Sequence, residues 1–562
     1  EMSWQRSFTY LAGGVLAALA VVWLGLVPAG AADDDPAAVA VDPARLARAW
    51  ARIESRAADV SAPELMGFAL DAAAAGAEPA RIEAALEQLE ALQDRDPNSP
   101  GYGNFRWDRG RDKVRDYSAV EFVMQRGSLL CLKYRARLSP AAVQRLLRIA
   151  SCAVNGIRRH AVPESHTNVF LMKAWNCLAI GQAAARADLS AEGSRMLDRW
   201  LMWTWETGLT EFSSPAYYGV DLASLGLIAR CIDDPAVVEK AEAALGLFWT
   251  DMAANWFEPG FRLGGPASRD YDLLTGHGQL DESLAAAGWI PASRDRKGGV
   301  LEAMSFWKPP ASLTKSILSN LPRTVVRRWG LGEGEFAVTY VGKGVCLGTS
   351  GAGYGPVDRV LSADLGGGPV APLVSFLMDG RGDPYGQRPG STASGHSKAF
   401  HLTPFVTTVQ RGTEALLLAS ADTADPQHFS YAPNPKCLLS HLILPMADEV
   451  WIAQRKLSLD ARGDATAVFA GEPVFIRRGK AALAVRVLLA MDTAGNPAPA
   501  ALLADGGKHG AMRLTVTHSP DGPKGRGTVA LWVRVADGID DEGKFADFRG
   551  GFRSGGSGTF QD

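Results

Sequence analysis

The sequence predicts a chain of two textures: an all-helical half of hairpins arranged in a ring or solenoid, followed by an antiparallel β-sandwich. Two observations carry this. From Pro43 to about Trp289, apolar residues recur at i, i+3, i+4 and i+7 in stretch after stretch. After "GGVLEAMSFWKPP" the chain breaks into short β-rich runs separated by turns rich in Gly, Asp, Asn and Pro. With 562 residues, 47% of them hydrophobic, the chain has ample material for large cores.

The N-terminus comes first. Arg6 precedes the apolar run "LAGGVLAALAVVWLGLV", and Ala29 and Ala31 are spaced for signal-peptidase cleavage before "ADDD". Residues 1–32 therefore read as an export signal. The run from Leu11 to Val27 lies at the short end of what spans a bilayer, so an uncleaved membrane anchor is the alternative. Either way the body of the protein is expected in the periplasm or secreted. The six cysteines (Cys131, Cys152, Cys177, Cys231, Cys346, Cys437) form no CxxC pair and no metal-ligand spacing; one disulfide fits them, a framework does not. A net charge of -3 gives no global attraction to nucleic acid or to an anionic membrane. Local Arg and Lys clusters must then do any recognition of an acidic ligand.

Residues 33–308 form the helical region. Its stretches include "PARLARAWARIESRAA", "EPARIEAALEQLEALQ", "SAVEFVMQRGSLLCLKYRARL", "SPAAVQRLLRIASCAVNGI", "TNVFLMKAWNCLAIGQAAARA", "SAEGSRMLDRWLMWTWET", "GVDLASLGLIARCI" and "PAVVEKAEAALGLFWTDMAANW". Ser or Asp followed by Pro or acidic residues marks the starts, as in "SPAAV" and "DDPAVVEKAE". No fixed-period repeat assigns a named repeat family. The change of texture falls near Pro309 to Ser312, and residues 309–550 form the β domain, with "EFAVTYVGKGVCLGTSG", "CLLSHLILPM" and "GTVALWVRV" among its strands. The tail 551–562 reads as loose.

Three stretches carry the chemistry. "YGNFRWDRGRDKVRDYSAVEF" (102–122) brings aromatics and arginines together, "SHTNVFLMKAWN" (165–176) opens a helix with His-Thr-Asn, and "GLTEFSSPAYYGVDL" (208–222) sets two tyrosines behind a Ser-Ser-Pro break. In this order, on a helical half followed by a sandwich, they resemble polysaccharide lyases of the heparinase II/III-like and alginate-lyase-like superfamily. The resemblance implies an (α/α) toroid, often incomplete, carrying the catalytic groups, and β-elimination on a uronic-acid-containing polysaccharide. Such cleavage removes the C5 proton, which requires neutralising the adjacent carboxylate, and protonates the departing O4.

By that resemblance Asn168 neutralises the substrate carboxylate, with His166 as helper or base, and Tyr217 or Tyr218 transfers protons. Tyr218 is preferred because it abuts Gly219, where a ligand could approach the backbone. Glu211 is expected to orient its neighbours, since an unpaired carboxylate repels an anionic substrate. In the loop "RLGGPASRDYDLLTGHG" (262–278), Arg269, Tyr271 and His277 are candidate substrate contacts; the plain reading of this loop is the crossover to the β domain. The glycine-rich loop 380–401 holds Arg381, Arg388, His396 and His401, and His396 is the expected second proton-transfer group. Phe105, Arg106, Trp107, Arg109 and Arg111 suit stacking on a sugar and pairing with its acids, and Arg158, Arg159 and His160 extend that idea. No cofactor is expected, a structural divalent metal in the β domain is left open, and the expected partner is an acidic polysaccharide, with no nucleic acid and no membrane partner beyond the anchor. Two alternatives stand beside the lyase. One is a glycoside hydrolase with paired carboxylates about 5 to 10 Å apart, drawn from Glu211, Asp270 and Asp272. The other is a non-catalytic glycan-binding envelope protein.

Overall fold

Most of the long helices begin where a short polar side chain closes the first turn. Asp42 accepts from the Ala44 amide ahead of Pro43–Glu54, Ser61 and Glu64 form a reciprocal capping box on Ala62–Ala74, Ser139 caps Pro140–Arg159, and Asp234 caps Pro235–Asn255. Each carries a proline in its first two positions, where a missing N–H costs nothing. The computed structural model describes residue 39 and residues 41–554, apart from 293–297, 356, 386–400, 431, 433, 459–464, 470 and 505–508. The export segment therefore lies outside the described residues. Among the described residues no helix is long and apolar enough to cross a membrane.

Two helices are more buried than a one-sided apolar stripe implies. Thr167–Ala183 is buried at every residue from Thr167 to Gly181, and Tyr217–Cys231 along most of its length. Thr167–Ala183 packs against Ala119–Leu129, Ala187–Thr207 and Tyr217–Cys231. A helix covered on all sides must be apolar nearly all round. Close approach then needs small residues: a Cβ on Gly226 would sit 1.7 Å from the Ser305 carbonyl oxygen. The Val300–Ser305 helix that comes so near also packs on Ala62–Ala74, and Asp71 accepts there from the Val300 amide at 2.9 Å. The end of the helical region thus returns to its beginning and closes the ring.

The last helix before the sandwich, Ala311–Ser319, packs on Pro235–Asn255, and the first sandwich strand is Arg323–Arg328. Among the described residues the β region forms two antiparallel sheets. One has nine strands, from Ala465–Val468 at one edge to Arg323–Arg328 at the other; the second has seven, from Arg455–Lys456 to Phe405–Arg411. Leu361, Val374 and Leu442 of the first meet Leu417, Ala419, Val485 and Val533 of the second in one apolar core. The helix Glu542–Ser554 covers the outer face of the seven-stranded sheet with Phe545, Phe548 and Phe552 on Phe475, Ala482 and Ala484. It runs into the segment expected to be loose, because the i, i+3, i+7 spacing of its phenylalanines buries one face.

The segment 256–277 straps the two halves together. Arg262 Nε meets Asp364 Oδ2 at 2.7 Å, Arg359 pairs with Asp270, and Arg323 donates to the carbonyls of Ala253, Ala254 and Trp256. Arg262, Arg359, Asp270 and Asp364 are all buried. All six cysteines are buried and free.

Candidate active site

The opening of Thr167–Ala183 anchors the site. His166 sits at its N-cap without a side-chain cap bond, and the Asn168 amide donates instead to Glu211 Oε2 at 2.9 Å. A carboxylate there satisfies an orphan helix donor and sits at the positive end of the helix dipole. Glu211 comes from the wholly buried run Thr210–Pro215. Within it Ser213 takes a left-handed φ of 45°, and Ser214 then accepts from the Tyr217 amide through Oγ and from the Tyr218 amide through its carbonyl. The Ser-Ser-Pro break is thus the turn that starts the Tyr217–Cys231 helix.

That turn sends the two tyrosines apart. Tyr218 faces the interior: its hydroxyl donates to Asp251 Oδ2 at 2.9 Å, its ring meets Phe248 edge-on at 4.9 Å, and Arg327 also holds Asp251. Tyr217 points into the site, its hydroxyl 2.6 Å from that of Tyr271. Gly219 does not face a ligand; a Cβ there would lie 2.7 Å from the backbone of Gln279.

Arg269 gathers the remaining groups. Its Nε lies 3.4 Å from Glu211 Oε1 and its Nη1 3.3 Å from His166 Nε2. Its guanidinium carbon stands over the rings of Tyr217 (5.4 Å) and Tyr354 (5.3 Å). Arg269 has a left-handed φ of 46°, and its amide donates to Asp358 at 2.9 Å, which fixes that conformation. Tyr354 donates to the Ser165 carbonyl at 3.0 Å, so the β domain supplies one wall.

Burial governs the protonation states. It pushes His166 down to about 4, with Arg269 adding to the effect, so the imidazole is neutral at neutral pH. It raises Tyr217 and Tyr271, so both are phenols. It pushes Glu211 up to about 7 against the pull of Arg269 and the Asn168 amide. It raises Asp358 to about 7 as well.

The other candidates have partners of their own. Arg106 donates to the carbonyls of Ala91 and Arg111, Arg109 to Gln88, and Arg111 to Asp108; Trp107 packs edge-on against Phe122 at 5.5 Å. Phe105 is fully buried and offers no stacking face. Arg158 pairs with Glu192 and Asp188, and Arg159 donates to Ser99 and Pro97 carbonyls. His277 bridges Asp281 and the Pro369 carbonyl. His396 and Arg388 lie outside the described residues. His401 is buried, contacts the Pro384 carbonyl at 3.2 Å, and is pushed down to about 4 by burial. Among the described residues no group of three or more His, Cys, Asp or Glu is placed to hold a metal. Of the carboxylates considered for the hydrolase, Asp270 is bound to Arg359, and Asp272 accepts from Thr275.

Three site residues escaped the sequence reading. Tyr354 and Asp358 come from the sandwich, where a tyrosine in the glycine-rich run "SGAGYGPVD" was the available signal. Asp221, an acid inside an apolar helix, is fully buried, and neither carboxyl oxygen has a hydrogen-bond partner. Burial raises its pKa well above the carboxylate range, and Glu211 adds to the rise.

Comparison with known proteins places residues 94–277 in a match to a domain of unknown function, DUF8769. That segment contains His166, Asn168, Glu211, Tyr217, Arg269 and Tyr271. No curated protein sequence matches the chain. Similar solved structures include a heparinase III with methylated lysines (9% identity, 85% of this chain and 77% of that one, TM-score 0.35). Others are a heparan sulfate lyase from Pedobacter heparinus (10%, 85% and 75%, 0.33) and a chondroitin AC lyase from Streptomyces coelicolor A3 in complex with chondroitin sulphate (12%, 94% and 82%, 0.39).

Proposed function

We propose that this chain is a lyase that cleaves a uronic-acid-containing polysaccharide by β-elimination. The observation that carries the reading is the environment of Arg269: one guanidinium contacts a neutral imidazole at 3.3 Å and overlies a phenol whose hydroxyl meets a second phenol at 2.6 Å. A cation for the substrate carboxylate, a proton acceptor and a proton donor are the three requirements of the reaction.

Arg269 turns its guanidinium to the uronate carboxylate, and Asn168, at the positive end of its helix, assists. The C5–H bond is thereby acidified and His166 Nε2 is released. His166 takes the C5 proton, the electrons of that bond form the C4–C5 double bond, and the C4–O4 bond breaks. The Tyr217 phenol protonates the departing O4, with Tyr271 holding the hydroxyl in place. Proton exchange with solvent then returns His166 and Tyr217 to their starting states. The acid and base follow from environment, because burial keeps the imidazole neutral and the phenol protonated at one pH. Glu211 orients Asn168 and Arg269 without touching the substrate.

A panel of alginate, glucuronan, ulvan, heparan and chondroitin substrates tests this. At least one should yield the ultraviolet-absorbing unsaturated uronyl end. Reducing ends released from a neutral polymer, without absorbance, would replace the lyase by the hydrolase. Export belongs to the same proposal, and N-terminal sequencing of the protein recovered from its native cells should begin after Ala31.

A further inference from the structure

A second groove lies on the outer side of the helical ring. It has a volume of about 460 Å³ and is lined by Arg95, Tyr102, Gln144, Arg148, Ser151 and Asn155, with Leu147 and Cys152 completing it. Gln144, Arg148, Ser151 and Asn155 recur at helical spacing on Pro140–Arg159 and therefore share one face. Arg159 continues the stripe, its guanidinium carbon 4.9 Å from the Tyr102 ring centroid. From Gln144 to Arg159 the stripe rises roughly 22 Å, at about 1.5 Å per residue. It ends seven residues before His166 in sequence.

The charges here do not balance. Glu90 alone holds Arg95, Arg145 at 3.0 Å and Arg148 at 3.1 Å. Two of these three guanidiniums, Arg95 and Arg148, line the groove itself. Arg95 and Arg148 remain nearly half exposed, at 43% and 48% of the side chain. Beside this surplus of positive charge, the amides of Gln144 and Asn155 and the Ser151 hydroxyl can meet sugar hydroxyls, while Tyr102 and the exposed Leu147 offer apolar surface. An apolar ligand would waste the polar lining, and a bare anion would leave the amides and ring unused.

We infer that this groove is a second, non-catalytic binding site for an acidic polysaccharide, gripping its carboxylate or sulfate groups on the outer face of the ring while cleavage proceeds at Arg269. The inference rests on the lyase reading for its choice of ligand, yet it is testable without turnover. The full chain is titrated with glucuronan, chondroitin sulfate and neutral dextran, alongside a double Arg95→Ala, Arg148→Ala variant and Ser151→Tyr, which fills the groove from an exposed position. The double arginine variant should bind the anionic polymers roughly five- to tenfold more weakly, the scale of two lost exposed ionic contacts, and Ser151→Tyr should weaken them at least as much by blocking the groove. Glucuronan and chondroitin sulfate together distinguish a carboxylate-reading groove from a sulfate-reading one, and dextran should not bind. Unchanged binding in both variants overturns the inference. So does a loss confined to the charge variant, which marks diffuse attraction, or equal binding of dextran. If no polymer is cleaved, the lyase reading fails while the binding comparison still decides the groove.

Discussion

Residues 102–122 and residues 256–277 are both rich in the side chains that bind acidic sugars, and they use them in opposite ways. In the first, Arg106 and Arg109 reach backbone and side-chain groups of the neighbouring helix region, while Arg111 and Arg115 pair with acids three residues away. Their density in sequence is local self-support. In the second, Arg262 is buried against an acid of the sandwich, and Arg269 reaches across chain separations of 52 to 103 residues to Tyr217, Glu211 and His166. A site is made by groups that converge from distant elements, so a single arginine with distant partners carries more weight than four with near ones.

The comparison breaks most visibly at the strap. Arg359→Ala leaves buried Asp270 without its partner and should lower unfolding free energy by about 3–5 kcal/mol, read by urea denaturation. Arg269→Ala should lower turnover on an acidic polymer by about 10²–10³, the scale for removing one donor that meets developing charge, with the fold intact.

The tyrosines sharpen the contrast within one turn of helix. Tyr217→Phe should lose turnover by about 10²-fold or more while polymer binding persists. Tyr218→Phe should lose about 1 kcal/mol of stability, the net value of one hydrogen bond, and keep activity within about twofold; Asp251 retains Arg327. Equal effects in the two variants would erase the distinction.

Asp221 gives a smaller, pH-dependent effect. Its folded pKa is raised, so the folded state binds more protons than the unfolded one above about pH 4 and stability falls as pH rises through that window. Asp221→Asn removes this loss. The melting temperature of the variant relative to the parent should climb from pH 4 toward pH 8, and a flat difference would show that Asp221 is ionised in the fold. Smallest of all, Arg106→Ala with Arg111→Ala should change kcat/KM by no more than about twofold, because Arg106 is spent on the Ala91 and Arg111 carbonyls and Arg111 on Asp108.

Much of the architecture was legible. Ser139-Pro140 and Asp234-Pro235 announced their helices, and the change from helical spacing to short β runs marked the sandwich. His166, Asn168, Glu211, Arg269 and Tyr271 were all named from sequence, and the structure brings them together with Tyr217. Which tyrosine faces the site was not legible. Adjacent positions on a helix point about 100° apart, and the helix begins at Tyr217 because Ser213 and Ser214 turn the chain two residues earlier than the apolar pattern implies. Tyr354 and Asp358 were hidden by their origin in the other half of the chain, and Asp221 by the apolar residues around it. The arginines from Arg106 to Arg111 each donate to a neighbouring segment or to their own loop, which their spacing in sequence does not show.

The central claim is that Tyr217, beside His166 and Arg269, delivers the proton of an elimination. Its most direct measurement follows absorbance of the unsaturated uronyl product on the best polymer of the panel for the parent protein, Tyr217→Phe and Tyr218→Phe, with polymer binding measured on the same samples. The account predicts product from the parent and from Tyr218→Phe, and binding without product from Tyr217→Phe. Parent-like product formation by Tyr217→Phe, or sugar release by the parent without absorbance, would contradict it.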